Sequence, residues 1–350
     1  MTIVWITPGF AADEQDHNCI PPLQLLAAAL LRKGVDLRIL ALEYPFREEP
    51  YHWHGATVFP CNGRNRPWLK PRTLWRAMNH CRRIIGEKEV TALHSFWLGW
   101  ASLAGERVSQ QTGIPHLTTL MGQDVLPQNR KFLRGLTPGR CTRLVALSGF
   151  QNDCFEENTG FRADYTIPWG IDETEIPATL PSERPVDVLG AGSLVAVKNW
   201  EKWLHTVALA AETKPGLRAE LIGEGPERHR LERLAARLGL ERTLRFSGNL
   251  PRAEVMARMR QSKVLLHTAR FESFGYVLAE AAMNGCRIVS TPVGVASELG
   301  VTGVQEPRLA KWLLQTIEQP VNRQPFVPYT MEKTAEEYLR RYREISTGVA

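Results

Sequence analysis

Residues 263–294 read KVLLHTARFESFGYVLAEAAMNGCRIVSTPVG. A short apolar run, Lys263–His267, passes into a small polar, aromatic and glycine-containing turn, Ala269–Gly275. An apolar helical run follows, Tyr276–Asn284, and then a second strand-like run, Arg287–Ser290. Strand, turn, helix and strand in this order predict a βαβ unit, with parallel strands and a right-handed crossover. The two acids of the stretch take different places: Glu272 stands in the turn, Glu280 within the helix among Val277, Leu278, Ala281 and Ala282. Free amides in the first turn of the helix, which begins near Tyr276, would suit a diphosphate. A carboxylate at Glu280 that looks inward or toward a cleft would suit paired hydroxyls, as acids do for ribose in dinucleotide sites. Taken alone, Glu272 reads equally as an exposed turn acid and Glu280 as a helix-surface residue.

The same alternation extends outward in both directions. Val186–Gly190, Arg218–Ile222 and Thr243–Phe246 read as further strands, with helices Glu201–Ala211, Glu227–Leu238 and Arg252–Arg260 between them. In the first half the strands are Ile3–Thr7, Asp36–Leu40, Thr91–His94, His116–Leu120, Arg143–Leu147 and Asp164–Ile167. Helices Pro22–Lys33, Thr73–Ile85, Gly99–Gln111 and Ser148–Asn158 fill the intervals, and Glu43–Pro71, rich in proline and aromatics, reads as an insertion or hairpin. The polar, proline-rich stretch Ile171–Pro185 reads as a linker, and Met331–Ile345 as a last amphipathic helix. The expectation is an α/β chain with domains at residues 1–170 and 171–328 and a closing helix at 329–350, each domain built on a parallel sheet.

Composition narrows the function classes. A chain of 350 residues is about the right length for two domains, and 43% hydrophobic with 23% charged residues is typical of a globular protein. No apolar run is long enough to span a bilayer, and the first residues, MTIVWITPGF, lack a signal-peptide pattern, so a cytoplasmic location is expected. Six scattered cysteines without Cys-x-x-Cys spacing argue against a zinc site or a disulfide framework. The net charge of +6 points to anionic partners. It concentrates in RNRPWLKPRTLWRAMNHCRR, Arg64–Arg83, where cations alternate with Trp68 and Trp75. Two readings stand: a surface that meets phospholipid headgroups at the inner membrane face or a polyanionic acceptor, or, with more weight, a solvated helix face whose tryptophans pack inward. Nucleic acid is not expected, because no recognition motif accompanies the charge.

Other segments place chemistry-bearing groups at strand ends. GAGSLVAVKNW, Gly190–Trp200, supplies a glycine loop with Gly192 and Ser193, and then Lys198 just before a helix, an arrangement suited to anions. In LIGEGPERHRLERLAARLGL, Leu221–Leu240, Gly223 and Gly225 permit a tight turn and close approach to a flat ligand. A plain βα turn explains both loops as well. LHSFWLGW, Leu93–Trp100, and LTTLMGQDVL, Leu117–Leu126, carry His94 and Asp124, either acceptor-positioning groups or satisfied structural ones.

Together these segments resemble the retaining GT-B glycosyltransferases of family 4 (glycosyl transferases group 1). GSLVAVKNW is similar to the family's Gly-Arg-Leu…Lys-Gly loop, RFESFGYVLAEAAMNGCRIVSTPVG to its Glu-x7-Glu region, and LRFSGNLPRAEV to the segment between them. VALSGF and YTIPWGID resemble the pieces that close the first domain. The resemblance implies two Rossmann-like domains facing a deep cleft, the N-terminal one for the acceptor and the C-terminal one for a nucleotide sugar. It implies that Glu280 holds the ribose, Glu272 contacts the transferred sugar and Lys198 neutralises the diphosphate, helped by backbone amides around Phe274, Gly275 and Tyr276. Gly223–Gly225 and Gly248–Leu250, with Asn249 and Leu250, would border the base, and Gly9 and Phe10 would lie near the reacting centre. The implied enzyme is a hexosyltransferase that moves a sugar from a UDP- or GDP-sugar to a hydroxyl on a glycan, lipid-linked or small-molecule acceptor. It would need neither metal nor cofactor.

Two departures from the family pattern stand out: Ser193 where the family has arginine, and Met121 where it often has histidine. They keep open a catalytically weak nucleotide-sugar-binding or partner subunit. A GT-B phosphorylase-like enzyme is a further alternative, against which a ribose-binding Glu280 counts.

Overall fold

The structure is a computed structural model and describes residues 1–139 and 141–347. The chain forms two compact units, one made of Met1–Gly170 with the chain from Tyr329 onward, the other of Ile171–Pro328.

The first unit begins with β1 (Thr2–Gly9), α1 (Pro21–Arg32), β2 (Asp36–Tyr44), β3 (Tyr51–Trp53), β4 (Ala56–Pro60) and α2 (Lys70–Glu87). It continues with β5 (Val90–Phe96), α3 (Trp100–Thr112), β6 (His116–Thr119), β7 (Thr142–Ala146), α4 (Gly149–Thr159) and β8 (Tyr165–Thr166). Among the described residues these strands make one sheet in the order β3-β4-β2-β1-β5-β6-β7-β8. All neighbours are parallel except β3 and β4. β1 reads TIVWITPG and lies at the centre, with Ile3, Val4, Trp5 and Ile6 buried. An unbroken apolar run of this kind is what a parallel strand covered on both faces requires. The stretch expected to be irregular, Glu43–Pro71, holds the β3–β4 hairpin, and β2 runs on to Tyr44 because Leu40, Ala41 and Leu42 continue its buried pattern.

The second unit runs β9 (Val186–Ala191), α5 (Trp200–Thr213), β10 (Ala219–Ile222), α6 (Arg228–Arg237), β11 (Leu244–Gly248) and α7 (Arg252–Arg260). Then come β12 (Ser262–His267), α8 (Tyr276–Met283), β13 (Arg287–Ser290), α9 (Ala296–Leu299), β14 (Val301–Thr302) and α10 (Glu306–Ile317). The strands form a second parallel sheet in the order β11-β10-β9-β12-β13-β14. Its core packs Trp200, Trp203, Leu204 and Val207 of α5 against Val188, Leu221, Val264 and Leu266 of the strands. The Trp203 indole N–H donates to the Leu266 carbonyl oxygen at 3.0 Å, which lets a large polar-tipped ring be fully buried. α10 and β14 were absent from the sequence reading. The Leu309, Leu313 and Ile317 spacing of α10 is an ordinary amphipathic signal, whereas two residues of β14 are too few to carry one.

The last helix, α11 (Met331–Ser346), belongs to the first unit. The Thr330 side chain caps its start by accepting the Lys333 N–H, and Tyr338 and Tyr342 are fully buried.

Trp68 and Trp75 do not pack inward, against the weightier of the two sequence readings. They are 71% and 63% exposed. The buried residues of α2 are Thr73, Ala77, Cys81 and Ile84, one stripe of small and apolar groups that leaves both rings on the opposite face.

Candidate functional site

Both sheets reverse their winding at one point. In the second unit the chain moves from β9 outward through β10 to β11, then crosses to β12 on the other side of β9. The loops that leave β9 and β12 therefore diverge at the carboxyl edge of the sheet, where doubly wound proteins place ligands.

Those loops carry Lys198 and Glu272, and they are pinned together. The Arg270 N–H donates to the Val197 carbonyl at 2.8 Å and the Thr268 hydroxyl to that of Asn199 at 3.1 Å. Lys198 Nζ forms an ion pair with Glu272 Oε1, and His267 Nε2, at the end of β12, lies 3.2 Å from the same oxygen. That imidazole contact is close without being an aligned hydrogen bond, so the buried Nε2 has no hydrogen-bond partner. Burial pushes the Glu272 carboxyl upward, but His267 and Lys198 overcome this and hold it down to about 2.

Glu280 sits one turn into α8 with its side chain buried, as its apolar neighbours suggested. Its carboxylate is not open: Arg252, at the start of α7, holds Oε1 and also reaches Glu175 Oε2 at 2.6 Å. The guanidinium stands 5.9 Å from the centre of the Tyr276 ring. Burial raises the Glu280 carboxyl, with Arg252 pulling in the other direction. Burial also raises the Tyr276 phenol.

Backbone geometry explains the glycines. Gly223 has φ +142°, and a β-carbon there would run into the Gly192 carbonyl, so the loops after β9 and β10 touch only because Gly223 lacks a side chain. Gly225 lies against the Leu194 backbone in the same way. Ser193 is exposed, and its carbonyl accepts the Trp200 indole N–H at 2.9 Å. Gly275 takes φ +85° at the start of α8, where no side chain caps the helix, and the buried Phe274 accepts the Val295 N–H at 2.9 Å. Asn249 and Leu250 follow the end of β11, Asn249 exposed and Leu250 partly so.

In the first unit the reversal lies between β1 and β5. A cavity of about 430 Å³ opens beside it, lined by residues that include Glu43, Lys70, Trp97, Trp100, Asp124 and Phe132. Asp124 organises its wall: Oδ2 accepts the N–H groups of Leu98 at 2.8 Å and Met121 at 3.1 Å, and Oδ1 that of Gly122 at 2.7 Å. Burial raises its carboxyl while these N–H groups oppose the shift. Glu43 is buried, paired with Lys70, and accepts the Asn65 N–H at 2.8 Å.

His94 is placed elsewhere than a hydroxyl-positioning role requires. It is fully buried, with Nδ1 2.6 Å from the Tyr342 hydroxyl and Nε2 2.8 Å from the Thr119 hydroxyl. Burial, and then His116, hold it well below its usual value, so it is a neutral clasp between β5 and α11. Phe10 is likewise fully buried, edge-on to Trp53 with ring centres 4.9 Å apart. Gly9 ends β1 in a close fit, where a β-carbon would come within 3.3 Å of Cys19 Sγ.

Sequence reasoning missed His267 and Arg252 as site residues. His267 was read only as the end of a strand, though that position faces the ligand edge of such a sheet. Arg252 gave no local signal, because its partners Glu175 and Glu280 lie 77 and 28 residues away in sequence.

Comparison with known proteins accords with this geometry. Residues 172–311 match the family described as Glycosyl transferases group 1, and residues 23–175 match Glycosyltransferase Family 4. Among curated relatives, a glycogen synthase of Mycobacterium tuberculosis (strain CDC 1551 / Oshkosh) is 29% identical over 168 residues, 46% of this chain. The match spans 40% of that relative's length. Among solved structures, the lipopolysaccharide outer core galactosyltransferase WaaB in its apo form superposes with TM-score 0.71 at 12% identity, covering 100% of both chains. Anabaena HepE in complex with UDP-glucose does so with TM-score 0.68 at 18% identity, again over 100% of both. With each half matched to its own part of the family and both halves sharing the fold of these structures, the chain belongs to the group 1 / family 4 glycosyltransferases and has their GT-B fold.

Proposed function

We propose that the chain is a retaining hexosyltransferase that moves a sugar from a nucleoside diphosphate sugar to a hydroxyl acceptor. The observation that carries this reading is the convergence of Lys198, His267 and Glu272 at the β9/β12 switch point, where a cation, a buried imidazole and a carboxylate meet at the carboxyl edge of the sheet. Lys198 and the α8 start supply positive potential for a diphosphate, Glu272 a carboxylate for sugar hydroxyls, and Glu280 with Arg252 a polar grip for the nucleoside. Family resemblance and the UDP-glucose named in the HepE structure support a nucleotide-sugar donor.

In the proposed reaction the bond between the anomeric carbon and the bridging diphosphate oxygen breaks, and its electrons stay on the diphosphate. The acceptor oxygen bonds to the anomeric carbon on the same face, and its proton passes to a leaving phosphate oxygen. Preorganised cations aimed at the departing phosphate stabilise the charge as it develops. Glu272, held at about 2, is a weak base at neutral pH, which favours the phosphate as the proton's destination. The reading assigns phosphate neutralisation to Lys198 and helix amides, so EDTA should leave turnover unchanged. The acceptor is assigned to the cavity beside the β1/β5 reversal, where indole and phenyl rings offer stacking faces and Glu43, Lys70 and Asp124 offer polar contacts.

The test is calorimetry against UDP, GDP and ADP, followed by donor turnover with the anomeric configuration of the product read by NMR. Binding of one nucleoside diphosphate and a product that keeps the donor's configuration are expected. Absence of binding to all three would remove the donor assignment, and inversion would remove the retaining one.

A further inference from the structure

The exposed face of α2 serves nothing described so far. Between Arg64 and Arg83 the chain has seven basic residues and no acidic one. Trp68 lies in a one-turn helix, Pro67–Leu69, that runs directly into α2, and Trp75 stands two turns further on. With exposures of 71% and 63% they are the two most exposed large apolar side chains among the described residues. Arg72, Arg82 and Arg83 share their face, opposite the buried stripe of Thr73, Ala77, Cys81 and Ile84.

Beside Trp68 is a recess of about 260 Å³ whose lining includes Arg64, Arg66, Arg72, Asn62 and Thr73. Arg66 lies over the Trp68 ring, 5.5 Å from its centre, and Arg64 Nε donates to Asn62 Oδ1 at 2.7 Å. One acid, Glu48, also lines the recess and is engaged by Arg76 at 2.5 Å and Arg72 at 3.4 Å. Three guanidinium groups around a recess are therefore offset by a single carboxylate.

We propose that this face docks the protein on an anionic phospholipid bilayer, with Trp68 and Trp75 seated at the headgroup level and the Arg64/Arg66/Arg72 recess taking a lipid phosphate. Charge complementarity selects the occupant. Indole rings combine apolar area with a polar N–H and favour the bilayer interface, and cations beside them add attraction to anionic headgroups. No helix among the described residues is long and apolar enough to cross a membrane, so this contact would be peripheral. Asn65 and Lys70, which line the cavity of the first unit, lie in the same stretch of chain as the recess. A docked bilayer would thus lie next to that cavity, though the docking itself does not depend on what the cavity holds.

The test is co-sedimentation of the full chain with vesicles of phosphatidylcholine alone and of phosphatidylcholine mixed with phosphatidylglycerol. Two surface variants, Trp68→Ser with Trp75→Ser and Arg66→Glu with Arg72→Glu, are run beside it, with melting curves confirming that each is folded. Binding to the anionic vesicles alone is expected, weakened by high salt and reduced roughly tenfold or more in each variant. Equal binding to both vesicle types, or unchanged binding by the variants, would overturn the proposal. Salt-sensitive retention on heparin without vesicle binding would assign the face to a soluble polyanion and overturn it too.

Discussion

Lys198 and Glu272 are ion-paired across two loops that the sequence keeps 74 residues apart. The pair joins the loop after β9 to the turn after β12, so the cation proposed for the diphosphate and the carboxylate proposed for the sugar hold one another before either meets a ligand. Both side chains are largely buried, so the pair is positioned by its surroundings rather than by solvent.

Replacing Lys198 with methionine keeps most of the side chain's volume and removes the charge. Turnover is expected to fall by roughly 10²–10³-fold, the usual effect of deleting one transition-state electrostatic partner. The melting temperature should fall as well, because the largely buried Glu272 carboxylate keeps only His267 beside it, so turnover is compared per folded molecule. Steady-state kinetics beside a thermal melt checks both, and near-normal turnover would dismiss Lys198 from the reaction.

Glu272 makes a pH-dependent contribution to stability. Its carboxyl is held at about 2 in the fold against an ordinary value of 4.5, so the stabilisation is present in full above the higher value and is lost as pH falls toward the lower. The size is about 3 kcal/mol by linkage. Urea unfolding of the wild type and Glu272→Gln should differ most near neutral pH and converge as the pH is lowered toward 3. A difference that does not vary with pH would contradict the described pairing.

Arg252 and Glu280 should be coupled. Arg252→Ala leaves a buried carboxylate without its cation, at an expected cost of about 1–2 kcal/mol because the arginine side chain is itself 45% exposed. Combining it with Glu280→Gln should recover part of that loss in a double-mutant cycle. Glu280→Gln alone should weaken nucleoside diphosphate binding by roughly tenfold with a smaller effect on kcat. Unchanged affinity would separate Glu280 from the nucleoside.

His94 separates a structural role from a catalytic one. Tyr342→Phe removes a hydroxyl that accepts the Trp5 indole N–H at 3.3 Å and meets His94 Nδ1 at 2.6 Å. It should cost about 1–3 kcal/mol, and His94→Ala about 2–4 kcal/mol. Activity per folded molecule should be unchanged in both. A large fall in kcat in a stable His94 variant would return it to the active site.

Much of the architecture was legible because the rule behind it is local. Strand-turn-helix alternation shows in Lys263–Ser290 without any tertiary information, and burial of Glu280 followed from its apolar neighbours. What escaped notice depended on distance. The contact between Gly192 and Gly223, the link from Arg252 to Glu280, and the clasp of Tyr342 on His94 each join segments whose spacing gives no hint of contact. Trp68 and Trp75 misled for a physical reason: burial is the default for a large ring, and only the packed Thr73/Ala77/Cys81/Ile84 stripe shows which face is covered.

The second unit is proposed to hold a nucleoside diphosphate sugar at the β9/β12 crevice. A crystal structure of the chain with the nucleoside diphosphate that calorimetry selects is the decisive test. Phosphate oxygens are expected within hydrogen-bond reach of Lys198 and the α8 start, with the ribose hydroxyls on Glu280. A nucleotide bound away from all three groups would contradict it.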